Sequence, residues 1–284
     1  MTDLSQLEFG VPEPLSKING SAPEESLRFP RAFDSMNGLV YQRSLFGTVI
    51  WRTQDFLDSP GALLSGPLDT PGLNEGAPLK VESAGGVLSP YNLFLNMEVR
   101  RASGTANELF AAKVDSNGYT ASVTRLGEPF NRPASEDHTN VTLALSQNRA
   151  VWADYAPGGL AMQLMTAPLD NPQAIKLDLV DATGCPIYEF DYAPWLTPDG
   201  RLLFFNSMER TPQCTGASGN GYDIFVIELD GLGLPVGDPV PLAGISKPGS
   251  IEVDGSLSAD LCWLYFAASQ PEEKTRLFRA PRVH

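Results

Sequence analysis

The sequence predicts an all-β fold: a single five-bladed β-propeller of four-stranded blades filling residues 1–284. Three observations predict it: a phrase that recurs along the chain, a segment near the start that is rewritten near the end, and a proline-containing run that closes most of the repeated units. The phrase is clearest as Trp195-Leu-Thr-Pro-Asp-Gly-Arg-Leu-Leu-Phe-Phe-Asn206, a turn leading into an apolar run. Less complete versions begin at Ala32, Leu88, Leu145 and Leu257. Spacing that varies within a narrow range is what loop insertions in one repeated unit produce, and periods near ~50 residues indicate propeller blades.

Each unit continues in the same order. A third apolar run follows a polar loop at Thr48–Arg52, Glu108–Ala112, Met162–Thr166, Asp223–Ile227 and Arg276–Ala280. A fourth run containing proline follows in the first four units, as at Ala77–Val81 and Pro172–Leu177. Proline has no ladder donor and belongs on an edge strand, so this run is the outer one. The fifth unit lacks it. Its substitute is the start of the chain, because Gly10-Val-Pro-Glu-Pro-Leu-Ser-Lys-Ile18 repeats the glycine, prolines, leucine and isoleucine of Gly237-Asp-Pro-Val-Pro-Leu-Ala-Gly-Ile245 in register. An outer strand at about 7–17 is therefore expected to close the ring, removing two exposed sheet edges. The blades are expected at about 27–82, 83–131, 137–180, 187–245 and 250–284. Short apolar runs punctuated by Gly, Pro, Asn and Asp carry the strand signal, with no sustained helical periodicity. The least repetitive stretches, Asp55–Gly76 and Thr211–Tyr222, are expected to be long loops.

The pattern of Leu196 to Gly200 together with Asp223 to Gly231 resembles the WD40-like (PD40) repeats of the TolB-type propeller superfamily. The resemblance spans almost the whole chain and is weakest in the first and third units. It implies the fold and a periplasmic or secreted setting. It carries over no catalytic residue, since the superfamily includes binding, scaffolding and accessory domains.

Charge narrows the partners. Lys+Arg 20 against Asp+Glu 34 gives a net charge of −14 with no basic cluster. Phosphate-backbone binding depends on concentrated positive charge, so a nucleic-acid partner is not expected. No apolar stretch approaches the ~20 residues that span a bilayer. The start Met1-Thr-Asp-Leu-Ser-Gln has no signal-peptide character, so the protein is either intracellular or has lost a leader. The resemblance favours the second. A monomer is expected.

Of three cysteines, Cys185 precedes the innermost strand of the fourth unit and Cys214 follows that unit's second strand. Antiparallel order puts both loops on one face of the ring. A disulfide there is expected to contribute roughly 3 kcal/mol by the loop-entropy model, the alternative being two reduced thiols. Cys262, within Leu261–Tyr265, is expected to be a small buried hydrophobe.

No compact catalytic signature is present. The histidines are His138 and the terminal His284, and no Gly-x-Ser-x-Gly elbow occurs. The cysteines and histidines lack paired zinc-ligand spacing, and Gly216–Gly221 opens no helix after a strand, so it is not a phosphate cradle. Carboxylates ahead of the innermost strands remain: Glu24 and Glu25, Glu82, Glu136 and Asp137, Glu189 and Asp191, and Glu252 and Asp254. They are expected to hold neighbouring blades and turn amides. Collected at one channel mouth, they could instead bind Ca²⁺ or a cationic ligand, or hydrolyse a glycosidic bond as a pair. Asp199 and Asp260 sit in the turns and are expected to cap local amides. Tyr188, Tyr192 and Trp195 form an aromatic group that could stack a sugar or anchor a partner, with blade packing as the plainer role for Trp195. Trp51, Trp152 and Trp263 are expected between blades.

The expected function is thus a non-catalytic binding propeller for a protein, peptide or glycan, with Glu82, Asp137, Asp191, Glu252, Tyr188, Tyr192 and Trp195 as candidate ligand contacts. The alternative is a carbohydrate-active hydrolase or lyase using channel carboxylates. No cofactor is expected beyond possible Ca²⁺.

Overall fold

The computed structural model describes residues 4, 7–24, 26–32, 38–44, 48–53, 55–63, 80–89, 92–101, 104–114, 120–128, 130, 143–146, 149–155, 162–168, 173–177, 179, 192–208, 222–242, 244–245, 250–270 and 273–283. After two short strands, β1 (Glu8–Phe9) and β2 (Glu13–Pro14), and one helix, α1 (Ser16–Ser21), every element among the described residues is a strand. The first sheet holds β3 (Ser26–Ala32), β4 (Leu39–Ser44), β5 (Thr48–Thr53) and β6 (Ala62–Leu63). The second holds β7 (Lys80–Ser89), β8 (Asn92–Arg101), β9 (Gly104–Val114) and β10 (Thr120–Arg125). The third holds β11 (Leu143–Ser146), β12 (Arg149–Tyr155), β13 (Met162–Pro168) and β14 (Ile175–Lys176). The fourth holds β15 (Tyr192–Leu196), β16 (Leu202–Met208), β17 (Tyr222–Leu229) and β18 (Pro235–Pro241). In the fifth, β19 (Ile251–Leu257), β20 (Trp263–Ser269) and β21 (Arg276–Val283) are completed by β1 and β2, both paired with β21.

Within each sheet the strands follow chain order and pair antiparallel. The innermost strands meet in sequence: β3 packs on β7, β7 on β11, β11 on β15, β15 on β19, and β19 returns to β3. The described residues thus form five sheets around a closed ring.

Each sheet is sandwiched between two others, which explains apolar runs that do not alternate with polar residues. In β16, Leu203 and Phe205 join Val151, Ala153 and Leu164 of the third sheet, while Leu202 and Phe204 join Leu257, Leu264 and Phe266 of the fifth. Successive side chains point to opposite faces, so Leu202-Leu-Phe-Phe205 serves two interfaces at once. Phe205 and Phe225 stack with ring centroids 5.9 Å apart. Trp152 is buried and meets Phe130 edge to face at 5.2 Å.

The repeated terminal segment is conserved down to its hydrogen bonds. Pro14 lies opposite Phe278, and Pro241 opposite Phe225. One residue on, the Leu15 N–H donates to the Leu277 carbonyl at 2.9 Å, and the Leu242 N–H to the Ile224 carbonyl at 3.0 Å. Leu15, Ile18, Leu242 and Ile245 are all buried. The pairing of β17 with β18 shifts register between Val226 and Glu228, opposite the β18 stretch where Gly237 has φ +75°, a left-handed conformation that glycine adopts without penalty. The corresponding Gly10 to Pro12 separates β1 from β2, and Val11 there is exposed.

Some expectations change. Lys80 and Val81 belong to β7, the innermost strand of the second sheet, and the outer strand of the first is β6, inside the stretch expected to be a loop. Carrying Pro60 and Gly61 just ahead of it, that short strand had too little apolar length to stand out. Glu82, Glu252 and Asp254 lie within innermost strands rather than ahead of them. Cys262 is a half-buried free thiol in the turn before β20, its N–H donating to Asp260 Oδ1 at 3.1 Å. Residual burial and the adjacent Asp260 carboxylate hold its thiol above the ordinary range, so it stays protonated at neutral pH. Trp263 is half-buried, with the Arg279 guanidinium 4.2 Å above its ring. No helix among the described residues is long and apolar enough to cross a membrane.

Candidate functional site

The innermost strands of the fifth, fourth and first sheets carry a register shift at matching positions: between Val253 and Ser256, between Tyr192 and Trp195, and between Arg28 and Arg31. At the first two, the extra residue adopts a left-handed backbone, Asp254 at φ +64° and Ala193 at φ +55°. Asp tolerates that region better than most residues. The bulge re-aims a side chain, and in the fifth sheet the one re-aimed is the buried carboxylate of Asp254.

Asp254 joins three sheets. Arg28 of β3 pairs with it through Nε to Oδ2 and through Nη2 to Oδ1 at 3.2 Å. Asn206 of β16 donates from Nδ2 to Oδ1 at 3.1 Å and accepts the Asp254 N–H at 2.8 Å. Arg31 donates to the Asp254 carbonyl at 2.8 Å, and the Ser256 hydroxyl donates to the Pro30 carbonyl at 2.7 Å. Complete burial lowers the Arg31 guanidinium to about 10, against the opposing pull of Asp254; it is still charged at neutral pH. Nearby Tyr222 has its phenol raised by burial, with Arg28 opposing. A carboxylate engaged on both oxygens is a blade-to-blade connector and is poorly suited to exchange a proton with a substrate.

Glu252, two residues earlier on β19, is buried and accepts the Ser250 hydroxyl at 2.5 Å. It lines a cavity of about 180 Å³ together with the apolar Pro12, Ile245, Phe266 and Phe278 and the charged Glu273, Lys274 and Arg276. Phe266 and Phe278 are stacked, centroids 5.8 Å apart. Pro12 belongs to the segment that closes the ring, so that segment also walls the cavity.

Among the remaining candidates, Tyr192 lies in β15 opposite Asn206. Trp195 is half-buried against the fourth and fifth sheets and meets Phe204 edge to face at 5.5 Å, the packing role expected of it. Glu82 is placed in β7, its backbone opposite neither of these groups. Asp137, Asp191, Tyr188, Cys185 and Cys214 lie outside the described residues. Asp199 and Asp260 cap their turns as expected, accepting the N–H of Arg201 at 3.2 Å and of Cys262 at 3.1 Å. Among the described residues no three His, Cys, Asp or Glu side chains gather as a metal site. Arg28, Arg31 and Asn206 escaped the sequence reading. The signal was there: two arginines in the otherwise apolar Leu27–Ala32 are out of place in a central strand unless a buried network uses them.

No family model and no curated protein sequence matches the chain. Solved structures do. The catalytic domain of the GH62 α-L-arabinofuranosidase of Coprinopsis cinerea aligns over 98% of this chain and 98% of its own, with a TM-score of 0.55 at 8% identity. A GH43_1 enzyme from Xanthomonas citri complexed with xylotriose aligns over 96% of this chain and 90% of its own, with a TM-score of 0.54 at 13% identity. TolB from Acinetobacter baumannii matches 90% of this chain at 12% identity and a TM-score of 0.48, and the chain spans about half of it, 54%. At such identities the likeness to the two hydrolases is one of fold, and fold does not carry activity. With its sheets closed into a ring and its length matched by the two hydrolase structures, the chain has the β-propeller fold, and TolB chains stand among its structural neighbours.

Proposed function

We propose that this protein is a non-catalytic, extracytoplasmic binding propeller that takes a cationic segment of a peptide or protein at the cavity around Glu252. The observation that carries this reading is a buried carboxylate in a recess that also presents the apolar Pro12, Ile245, Phe266 and Phe278. Such a recess favours the aliphatic stem of a Lys or Arg side chain, with the charged head meeting Glu252. The net charge of −14 adds long-range attraction for basic partners. Engagement of Asp254 by Arg28 and Asn206 weighs against glycosidic acid/base chemistry at that carboxylate, because the reaction needs two available carboxyl groups. The extracytoplasmic setting rests on the resemblance of the repeats to TolB-type propellers.

The test is an array of Lys- and Arg-containing peptides probed with the purified protein at low and high salt, with and without calcium. Expected are binding that weakens with salt and a loss of about ten- to a hundredfold in Glu252→Gln, the effect of removing a hydrogen bond to a charged group worth roughly 1.5–3 kcal/mol. Release of reducing sugar from oligosaccharides in a parallel assay, or equal peptide binding by Glu252→Gln, overturns the proposal.

A further inference from the structure

We infer that a groove on the opposite face of the ring, between the third and fourth sheets, is a second binding site, suited to a neutral oligosaccharide. The strand order sets the face. The β15–β16 and β17–β18 turns emerge together at one end of the strands, and Ser250, Gln270 and Lys274 of the Glu252 cavity lie at the other. The groove has a volume of about 640 Å³, within the range of roughly 300–1,000 Å³ typical of small-molecule sites.

Among the described residues its charged lining is Arg149, Asp199, Arg201, Glu228 and Asp230. Each is held in place. Asp199 Oδ1 accepts the Thr197 hydroxyl at 2.6 Å and the Arg201 N–H at 3.2 Å. Asp230 Oδ1 accepts the N–H groups of Leu232 at 2.8 Å and Leu234 at 2.9 Å. In both, the second oxygen has no bond to a described residue. Arg201 pairs with Glu228 at 2.5 Å. Arg149 donates from Nη1 to the Thr166 hydroxyl at 3.2 Å, and its side chain crosses Gly233 so closely that a Cβ there would meet Arg149 Cδ at 2.3 Å. One guanidinium bond is thus used, and no carboxylate among the described residues pairs with it.

Among the described lining residues, two guanidinium groups and three carboxylates nearly balance, which favours neither an anion nor a cation. Fixed donors and fixed acceptors stand together in the lining. Adjacent hydroxyls of a sugar, each both donor and acceptor, satisfy both, while the exposed Val236 offers apolar contact to the ring carbons.

The inference is independent of the Glu252 cavity. Calorimetric titration of the intact protein with cello-, xylo-, malto- and chito-oligosaccharides of two to four units tests it, using Arg149→Lys and Gly231→Tyr. The first keeps the charge and loses the planar fork. The second fills the groove from a position where an added Cβ meets nothing within 4 Å, so it preserves folding, as a thermal melt checks. At least one of these sugars is expected to bind, with affinity at least tenfold weaker in both variants and unchanged in Glu252→Gln. Absence of binding by all four series, or binding lost in Glu252→Gln and kept in Gly231→Tyr, overturns it.

Discussion

A chain lacking residues 1–22 is expected to lose cooperative folding altogether. That segment buries Leu7, Phe9, Leu15, Ile18 and Ala22, which fill the seams between the fifth sheet and its two neighbours. At about 1.5–3 kcal/mol for each large side chain, the four larger ones contribute on the order of 10 kcal/mol, comparable to the whole stability of an ordinary domain. Its polar contacts go too: Asn19 exchanges hydrogen bonds with the backbone of Leu277 at 2.9 and 3.0 Å, and Glu13 pairs with Arg279 at 3.1 Å. Urea unfolding followed by tryptophan fluorescence is the measurement. A truncated chain that still unfolds in one sharp transition within 1 M urea of the full chain, an allowance of roughly 1–3 kcal/mol, shows that the segment does not hold the ring. Ile18→Ala is a milder version, expected to cost about 2–5 kcal/mol.

Replacing Asp254 by alanine is expected to cost about 3–5 kcal/mol, because it strands the fully buried Arg31 and the partly buried Arg28 beside an empty position. Removing charge on both sides behaves differently. Arg28→Met combined with Asp254→Asn, which also tolerates the left-handed backbone, is expected to recover the part of that loss that comes from Arg28, while Arg31 stays without its counter-charge. A double-mutant cycle read by thermal melting separates the pairwise coupling from the effect of each single change. Additive single losses would mean that the two residues do not act together.

Much of the architecture was legible because it is written as repetition. The Pro-Asp-Gly phrase marked the first hairpin of the fourth sheet, and the match between Gly10–Ile18 and Gly237–Ile245 located the closing strand down to its pairing with β21. Such signals survive because turn chemistry and edge prolines are local requirements. The short β6 left no comparable trace, since a two-residue strand held by the Tyr41–Pro60 and Thr53–Ser59 contacts needs no apolar run of its own. The connector at Asp254 was invisible for another reason: its partners stand 226 and 48 residues away and meet only once the ring closes. Glu252 could be picked out by position in the repeat, but its apolar recess depends on Pro12, Phe266 and Phe278 converging from distant segments.

Because Glu8 stands opposite Val283, the two ends of the chain leave the rim side by side. Tension applied between them is carried by one hydrogen-bonded rung at a time, as in opening a zipper, rather than shared along the strand. The closed hoop therefore yields readily to a pull on its tails.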